Sequence, residues 1–421
     1  MTPRVLRAAG RALPRVQRRH VVLLHRYVGL AMAGFLLVAA LTGSLLAFRE
    51  ELDHWLAPEL FVARSDPRAP LLDAYTLRER VARQLGPQAR VDALVLALRP
   101  GETARFPVAP NPDPATGRLA ALGYDEAYAD PHTGRVQGTR RREGLGLHPA
   151  QLVPSLFVIH HSLALPGRWG TLLLGLVSLL WTVDCFAGAW LTLPKGRPFL
   201  QKWRPAWTLK WGSGAYRATL DLHRAGGLWG WAVLLLFAWS SVMFNLREPV
   251  FRPVMGLVFE FDDSWRSVPP RPRPVLAPGL DWPAAHRAAR AAMLALAQET
   301  GLRVNTEERL LLDRRRGVYA YLVHSSLDLR PVVGNTAVLI DADTGQPRGR
   351  WLPTGGPAGN TVSNWLGALH MAHVFGRPWQ VFVALAGLAT AMLSITGVLV
   401  WHRKRRARRG AASMQGRTTP E

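Results

Sequence analysis

Four histidines lie beside apolar segments of this chain, at positions that repeat along it. His25 and His223 are each followed by an arginine and precede a long apolar run, while His160 and His370 precede two further apolar runs. Ionisable side chains are costly inside a membrane, so they usually face a partner, a cavity or a cofactor. The pattern therefore predicts metal centres inside a bundle of apolar helices.

The direction of each predicted helix pairs these histidines. His25 and His223 begin outward-running helices near the cytoplasmic face, whereas His160 and His370 begin inward-running helices near the outer face. Two imidazoles that face each other can ligate a haem iron axially, and apolar helices can bury the macrocycle. We therefore expect a haem, or another metal, at each of the two histidine pairs. Such ligation leaves no open position and favours electron transfer.

Other polar residues compete for these roles or support them. The haem propionates need cationic partners, for which the candidates are Arg26, Arg224, Arg168 and Arg377. The alternative ligands are His161, His373 and His402. Asp184, in the second apolar run, is expected to pair with a basic residue. The remaining histidines of the outside loops (His54, His132, His148, His286 and His324) are expected on the surface.

The chain contains a single cysteine, Cys185. An intrachain disulfide is therefore excluded. A covalent c-type haem is also excluded, because no C-x-x-C-H stretch is present. Cysteine-ligated clusters are excluded for the same reason, so any metal centre must depend on histidine.

Four apolar runs in a chain of 421 residues are each long enough to cross a bilayer, which requires about 20 apolar residues. Arginine and lysine are concentrated before the first run, between the second and third, and after the fourth, so these stretches are expected in the cytoplasm. The predicted order is a cytoplasmic basic arm (1–20), a first span (21–48), an outside domain (49–155), a second span (156–193), a cytoplasmic loop (194–220), a third span (221–247), a second outside domain (248–362), a fourth span (363–402) and a cytoplasmic basic tail (403–421).

The formal net charge is +23. Much of the excess lies beside the spans, where topology explains it, so nucleic acid is not expected as a partner. The basic tail is expected to contact anionic membrane lipid.

The chain reads as two copies of one unit, each with a span, an outside domain and a returning span. The outside domains contain the matching stretches 130–134 and 341–345, both of the form D-x-x-T-G, which is typical of a tight turn between strands. The pairs Thr42-Gly43 and Thr396-Gly397 recur inside spans, where we expect them to permit close helix packing.

Both outside domains are predicted to be of the α+β class. Helices are expected over 73–85 and 283–299, and strands over 91–98, 318–323 and 336–340. The proline-rich stretch 268–278 is predicted to be a linker. The predicted fold is thus a membrane bundle of four transmembrane helices, two repeats of two, with two α+β insertions.

The sequence resembles the PepSY-associated transmembrane family of bacterial inner-membrane proteins. The likeness rests on His25-Arg26 with Gly29, on Leu222-His223-Arg224, on Ile159-His160, on Leu369-His370 with Gly376, and on the two Thr-Gly pairs. The D-x-x-T-G turns are similar to those of PepSY-type domains. The resemblance covers most of the chain and favours His160 and His370 as outer ligands, although His161 and His373 stay open.

The resemblance implies two b-type haems, two periplasmic PepSY-like domains and a place in the inner membrane with both termini in the cytoplasm. Members of the family include reductases that take iron from ferric siderophores. We therefore expect an inner-membrane oxidoreductase that carries electrons from a cytoplasmic protein or a quinol to a ferric siderophore or other iron chelate in the periplasm. No nucleotide-binding glycine motif is apparent.

Two alternatives remain. In the first, the PepSY-like domains bind or regulate a periplasmic partner and the spans only anchor them. In the second, the protein transports iron chelates. The shared orientation of the two halves and the absence of an obvious break within a span disfavour transport.

Overall fold

A computed structural model describes residues 17–113, 115–264, 268–331 and 333–415, with side chains described up to residue 409. Residues 1–16 of the predicted arm and 416–421 of the predicted tail lie outside the described residues.

Thirteen α-helices are present in the described residues, together with a short 3₁₀ turn at Arg204–Ala206 and a π-helical turn at Arg247–Phe251. The helices are α1 (Arg18–Leu46), α2 (Arg49–Leu56), α3 (Pro58–Phe61), α4 (Ala74–Leu85), α5 (Pro149–Ser162), α6 (Trp169–Thr192), α7 (Phe199–Trp203), α8 (Ala215–Trp229), α9 (Trp231–Asn245), α10 (Arg252–Met255), α11 (Trp282–Thr300), α12 (Ala358–His370) and α13 (Gly376–Gln415).

Ten strands form three sheets in the described part of the chain. They are β1 (Ala89–Arg90), β2 (Ala93–Val95), β3 (Ala104–Pro107), β4 (Ala109–Pro110), β5 (Glu126–Ala129), β6 (Val136–Arg140), β7 (Val304–Asp313), β8 (Val318–Ser325), β9 (Thr336–Asp341) and β10 (Pro347–Trp351). The sheet orders are β1-β4, β3-β5-β6 and β10-β9-β8-β7-β2, and the strand pairs that the structure describes are antiparallel.

Three described helices, α1, α6 and α13, are long and apolar enough to cross a membrane. The pair α8 and α9 gives a fourth span if it is counted as one, but it bends by 69° at a break between the two helices. The sequence prediction of a third span without a break is therefore wrong. The break falls at Gly230, which closes α8 and lacks the side chain that would support a continuous helix.

The predicted second and fourth spans each consist of two helices. His160 lies near the end of α5 and His370 is the last residue of α12, so neither histidine opens a spanning helix as predicted. After each, the backbone turns through residues with positive φ: Leu163, Ala164 and Gly167 after α5, and Ala372, Phe375 and Gly376 after α12. Left-handed residues end a helix, so the span begins only after the turn.

His223 also departs from its predicted place. It lies in the middle of α8 rather than at the opening of an apolar helix, because α8 already begins at Ala215 in the polar stretch before it. His25 lies in the second turn of α1, as the sequence predicts.

The chain divides into two compact units. Within the described residues, one contains 17–37, 177–238 and 389–415, and the other contains the described parts of 38–176 and 239–388. The first unit is made of helical segments and carries His25 and His223. The second carries His160 and His370 together with all ten strands.

The two copies of the repeat share one sheet in the second unit. Strand β2 of the first copy pairs with β7 of the second through Ala93 with Leu311 and Val95 with Arg309. Helix α11 covers one face of this sheet, and its Ala289 and Met293 are buried against Leu310 and Ile340. The predicted α+β insertions are present, but they form a shared body rather than two separate sheets.

The D-x-x-T-G turns are confirmed. Asp130 accepts hydrogen bonds from the backbone of His132 and Thr133 between β5 and β6. Asp341 does the same for Asp343 and Thr344 between β9 and β10. In both turns the closing glycine has a φ near +74° (73° for Gly134 and 74° for Gly345), which other residues adopt only with strain.

Candidate metal centres

In the first unit, His25 of α1 faces His223 of α8. Their ring centres are 6.1 Å apart and the ring planes are inclined by 51°. Each ring is held through Nδ1, His25 by Asp184 Oδ1 at 2.9 Å and His223 by the Leu393 carbonyl at 3.0 Å. The two imidazoles are thus fixed with respect to each other.

In the second unit, His160 of α5 faces His370 of α12. Their ring centres are 6.3 Å apart and the ring planes are inclined by 66°. Nδ1 of His160 bonds the Ala39 carbonyl at 2.9 Å, and Nδ1 of His370 lies 2.7 Å from the Ser240 hydroxyl. The two units therefore contain equivalent pairs, each with one histidine from each copy of the repeat.

The ring separations match those of two imidazoles bound to one metal. A metal–imidazole bond is about 2.0 Å long and the ring centre lies about 1.1 Å behind the bonding nitrogen, so two axial imidazoles have ring centres roughly 6 Å apart. The observed separations of 6.1 and 6.3 Å fall at this value. Both pairs therefore have the ring separation that one metal atom between two imidazoles requires.

The hydrogen bonds also set the tautomer. A carbonyl oxygen only accepts, so Nδ1 of His160 and of His223 carries the ring proton. The other nitrogen, Nε2, then has the lone pair that a metal requires. Histidines that ligate metals are commonly held in this way by an acceptor at the second nitrogen.

A Thr-Gly pair on a neighbouring helix contacts the ring of His160, and a second such pair contacts the ring of His223. Thr42 and Gly43 of α1 meet His160: the hydroxyl of Thr42 is 3.1 Å from Nδ1, and a Cβ at Gly43 would lie 2.9 Å from Cε1. Thr396 and Gly397 of α13 meet His223 in the same way, at 3.1 Å for the hydroxyl and 3.1 Å for a Cβ. The prediction that these pairs serve helix packing is incomplete, because each forms the seat of an imidazole.

Asp184 pairs with a histidine, whereas the sequence led us to expect an arginine or a lysine. Its carboxylate accepts the Nδ1 proton of His25, and a Cβ at Gly188, one turn later, would lie 3.4 Å from Cε1 of that ring. An aspartate in an apolar span needs a partner. The sequence carried that signal but did not show that the partner is a histidine.

The family described as the PepSY-associated TM region matches residues 22–404 of this chain. The chain belongs to this family. All four paired histidines and both Thr-Gly pairs lie inside the matched range. No curated protein matches the chain.

The His25–His223 pair of this PepSY-associated protein lines a cavity of about 430 Å³. Its wall is mostly apolar, and at Gly29 and Gly227, which line it, a Cβ would meet nothing within 4 Å, so these positions leave room for a flat group. Arg26 and Arg224, two predicted partners of propionates, also line the cavity, together with Arg18 and Lys404. Nε of Arg224 is buried without a hydrogen-bond partner among the described residues, although its terminal nitrogen bonds Asp221 and the Pro205 carbonyl. An acidic group at this position would satisfy it.

Two of the three alternative ligands, His161 and His402, are directed elsewhere, whereas His373 stays open. His161 bonds the Phe157 carbonyl of its own helix and stacks on the Phe157 ring at 4.6 Å. His402 is exposed and does not line the cavity of the first unit. His373 is half-buried, and its Nδ1 has no hydrogen-bond partner among the described residues.

The predicted outer propionate partners, Arg168 and Arg377, are exposed, and their side chains bond none of the described residues. Arg49 and Arg330 instead lie close enough to His373 to interact with it electrostatically. His373 follows His370 by three residues, so these two arginines are better placed candidates near the His160–His370 pair. Both are distant from it in sequence, which is why spacing along the chain did not indicate them.

Not every outside histidine is a surface residue. His286 of α11 is buried, its Nδ1 is 2.8 Å from the Tyr75 hydroxyl of α4, and its Nε2 is 3.0 Å from Glu307 of β7. His132 is also buried, within the first D-x-x-T-G turn. His54 and His148 are exposed, as expected, and His324 is half-buried.

In the described residues, no group of three or more His, Cys, Asp or Glu side chains is arranged to hold a bare metal ion. Two imidazoles alone supply too few ligands for such an ion. The pairs therefore suit a metal that brings its remaining ligands with it, as the iron of a porphyrin does.

Proposed function

We propose that this PepSY-associated membrane protein is a dihaem b-type electron-transfer protein that reduces the iron of a ferric siderophore or related chelate on the periplasmic side. The proposal rests above all on one observation, the two histidine pairs whose ring centres are 6.1 and 6.3 Å apart. The electrons would come from a cytoplasmic protein or a quinol.

A haem held by two imidazoles supplies reversible one-electron transfer and leaves no position for oxygen. The protein's own contribution is to orient the ligands. Asp184, the Leu393 carbonyl, the Ala39 carbonyl and Ser240 hold Nδ1 of the four rings, which prevents the rings from rotating. Preorganised ligands keep the same geometry in both oxidation states of a metal.

The cavity of the first unit supports the same proposal. It is mostly apolar around His25 and His223, while Arg18, Arg26, Arg224 and Lys404 supply positive charge. An apolar macrocycle with two carboxylates requires this combination. The pocket volume of about 430 Å³ lies within the range of small-molecule sites.

The test is the absorbance spectrum of the purified protein before and after dithionite, with the haem content measured per chain. Wild type should contain two b-type haems. Alanine at position 25, 223, 160 or 370 should each remove about half of the haem. The double variant His25→Ala/His223→Ala should lose no more than either single variant, because both ligands serve one centre.

His161→Ala is the matched control, because His161 adjoins His160 in sequence and faces its own helix. It should retain both haems, as should His402→Ala. A colourless wild-type protein, or full haem retention in all four ligand variants, would refute the proposal.

A further inference from the structure

The segment that joins α6 to α8, residues 193–214, is strongly basic, and we call it the basic connection. Its lysines and arginines all have exposed side chains: Lys195, Arg197, Lys202, Arg204 and Lys210. No acidic residue occurs between Asp184 and Asp221, and Asp221 is already paired with Arg217 and Arg224. The five cations therefore have no carboxylate partner among the described residues.

The basic connection also exposes large apolar side chains. Leu200 is 74% exposed, Trp211 is 75% exposed and Phe199 is 42% exposed. Each lies within three residues of one of the exposed cations. Apolar and aromatic side chains interspersed with lysine and arginine are typical of segments that lie in a membrane interface.

The basic connection is fixed at the ends of candidate spans. Trp203 donates its Nε1 proton to the hydroxyl of Thr192, the last residue of α6, at 3.1 Å. Arg18, the first residue of α1, donates to the Leu193 carbonyl at 3.2 Å. Because α1 and α6 are both long enough to cross a bilayer, their ends mark the level of the lipid headgroups. Tryptophan is enriched at that level.

The rings of the basic connection support one another. The ring centre of Trp203 is 5.5 Å from that of Phe199 and 5.2 Å from that of Trp207. On the other side, Arg224 of α8 donates to the Pro205 carbonyl at 2.6 Å. The exposed residues are thus carried by a segment that is attached to both neighbouring helices.

A basic surface with exposed apolar side chains fits either an anionic membrane or an acidic protein. The attachment of Trp203 to the end of α6 favours the membrane, because it places the aromatic row where the span meets the headgroups. Anionic phospholipids supply the opposite charge at the same level.

We propose that the basic connection lies on the membrane surface, where Phe199, Leu200 and Trp211 enter the headgroup region and the five cations bind anionic phospholipids. The positive charge predicts this side of the protein to be cytoplasmic, so the lipids are those of the cytoplasmic leaflet. Membrane docking of this kind does not depend on the proposed electron transfer.

The test places a fluorophore on Leu200→Cys or Trp211→Cys in the full chain, reconstituted in phosphatidylcholine vesicles with or without phosphatidylglycerol. Some of the lipids carry a nitroxide that quenches nearby fluorophores. Both labels should be quenched and should emit at shorter wavelength when phosphatidylglycerol is present, and the effect should weaken as salt rises. Labelled wild type measures any reaction at the buried Cys185.

Gln298→Cys is the control for position, because Gln298 is an exposed residue of α11, and its label should stay in water. Each cation near an anionic surface favours binding about fivefold, so Lys202→Gln/Arg204→Gln should reduce docking of the Leu200 label about thirtyfold. The matched charge control is Arg83→Gln/Arg303→Gln, which removes two exposed arginines outside the basic connection and should change nothing.

Labels at 200 and 211 that stay in water in both kinds of vesicle would overturn the proposal and leave an acidic protein as the partner of this surface. Quenching that is equal with and without phosphatidylglycerol, and unchanged in Lys202→Gln/Arg204→Gln, would also overturn it, since the cations would then not recognise the lipid. Neither result bears on the histidine pairs, whose haem content is a separate measurement.

Discussion

Gly43 and Gly397 each lie against the imidazole of a candidate ligand, His160 and His223 respectively. The absence of a side chain at these glycines lets the helix approach the ring closely. A Cβ at Gly43 would lie 2.9 Å from Cε1 of His160, closer than real Cβ contacts permit. Replacing glycine by alanine in an exposed helix usually stabilises it by about 1 kcal/mol. A loss of stability or haem in Gly43→Ala would therefore result from the clash between the new Cβ and the His160 ring.

We therefore expect Gly43→Ala to displace His160 and to reduce the haem content by about half. Gly34→Ala on the same helix is the control, because a Cβ there meets nothing within 4 Å. Haem content per chain and the absorbance spectrum measure the outcome. Equal haem in the two variants would show that Gly43 does not seat the ring.

Of the four paired histidines, His25 bonds a carboxylate, that of Asp184, through Nδ1, whereas the other three bond carbonyl or hydroxyl oxygens. A carboxylate at Nδ1 makes the imidazole a stronger donor and stabilises the oxidised metal, whereas a carbonyl or a hydroxyl does so less. We expect Asp184→Asn to raise the reduction potential of the His25–His223 centre and to leave the other centre unchanged.

A potentiometric titration followed by absorbance would resolve the two centres. Thr182→Val is the control on the same helix, since among the described residues the Thr182 hydroxyl bonds only the Ser178 carbonyl of α6. Two unshifted potentials in Asp184→Asn would contradict this role for the carboxylate.

At the scale of the elements, the turns after α5 and α12 divide the predicted second and fourth spans, so the long helices begin later than the sequence predicts. Hydropathy along the chain does not distinguish one continuous apolar helix from two helices joined by a left-handed turn. Pro166-Gly167 gave a local signal at the first turn, and Gly376 with Pro378 gave one at the second. Neither pair shows from sequence that non-glycine neighbours, such as Ala372 and Phe375, also adopt positive φ.

Strand β6 carries the most completely buried ion pairs of the first outside domain. Arg140 is buried, bonds Asp53 of α2 through two donors, and bonds Glu126 of β5 at 3.2 Å. Although burial opposes its charge, these acidic partners raise the pKa of Arg140. Removal of one partner leaves the other charges buried without compensation.

We expect Arg140→Met to lower the free energy of unfolding of this domain by about 3–5 kcal/mol. Arg141→Met is the control in the adjacent position, where the exposed guanidinium bonds only the Leu122 carbonyl, and its effect should stay within about 0.5 kcal/mol. Thermal unfolding followed by tryptophan fluorescence compares them. Similar midpoints for both variants would contradict a stabilising role for the network.

For the whole molecule, the sequence predicted the repeat, the apolar helices, the α+β insertions and the D-x-x-T-G turns, because each has a local pattern. It also named the four histidines that the structure brings together in pairs. It missed what depends on contact between distant segments: the contacts of Thr42 and Thr396 with imidazoles, the Asp184–His25 bond and the two arginines, Arg49 and Arg330, near His373. One sequence contains no direct record of such contacts.

The junction between the two copies contains a buried histidine. His286 faces Tyr75 of the first copy and Glu307 and Arg290 of its own, and burial lowers its pKa despite the favourable charge of Glu307. In the unfolded chain the pKa is about 6.5. The folded state therefore binds this proton less readily than the unfolded state does. The stabilisation that comes from keeping His286 neutral is fully present above about pH 6.5. It is lost as the pH falls toward the lower pKa that His286 has in the folded protein.

We expect the free energy of unfolding to fall as the pH drops below about 6.5, with a slope of up to about 1.4 kcal/mol per pH unit from this residue. His286→Gln should flatten that dependence. His54→Gln is the control, since His54 is exposed. Unfolding at pH 7.5 and pH 5.5 measures the slope, and identical slopes in all three proteins would contradict the assignment.

The pairing of β2 with β7 also bears on whether either half could stand alone. A polypeptide with a single repeat would have a bare strand edge and only half of each imidazole pair. Each half of this chain therefore completes the other, at the sheet and at both histidine pairs.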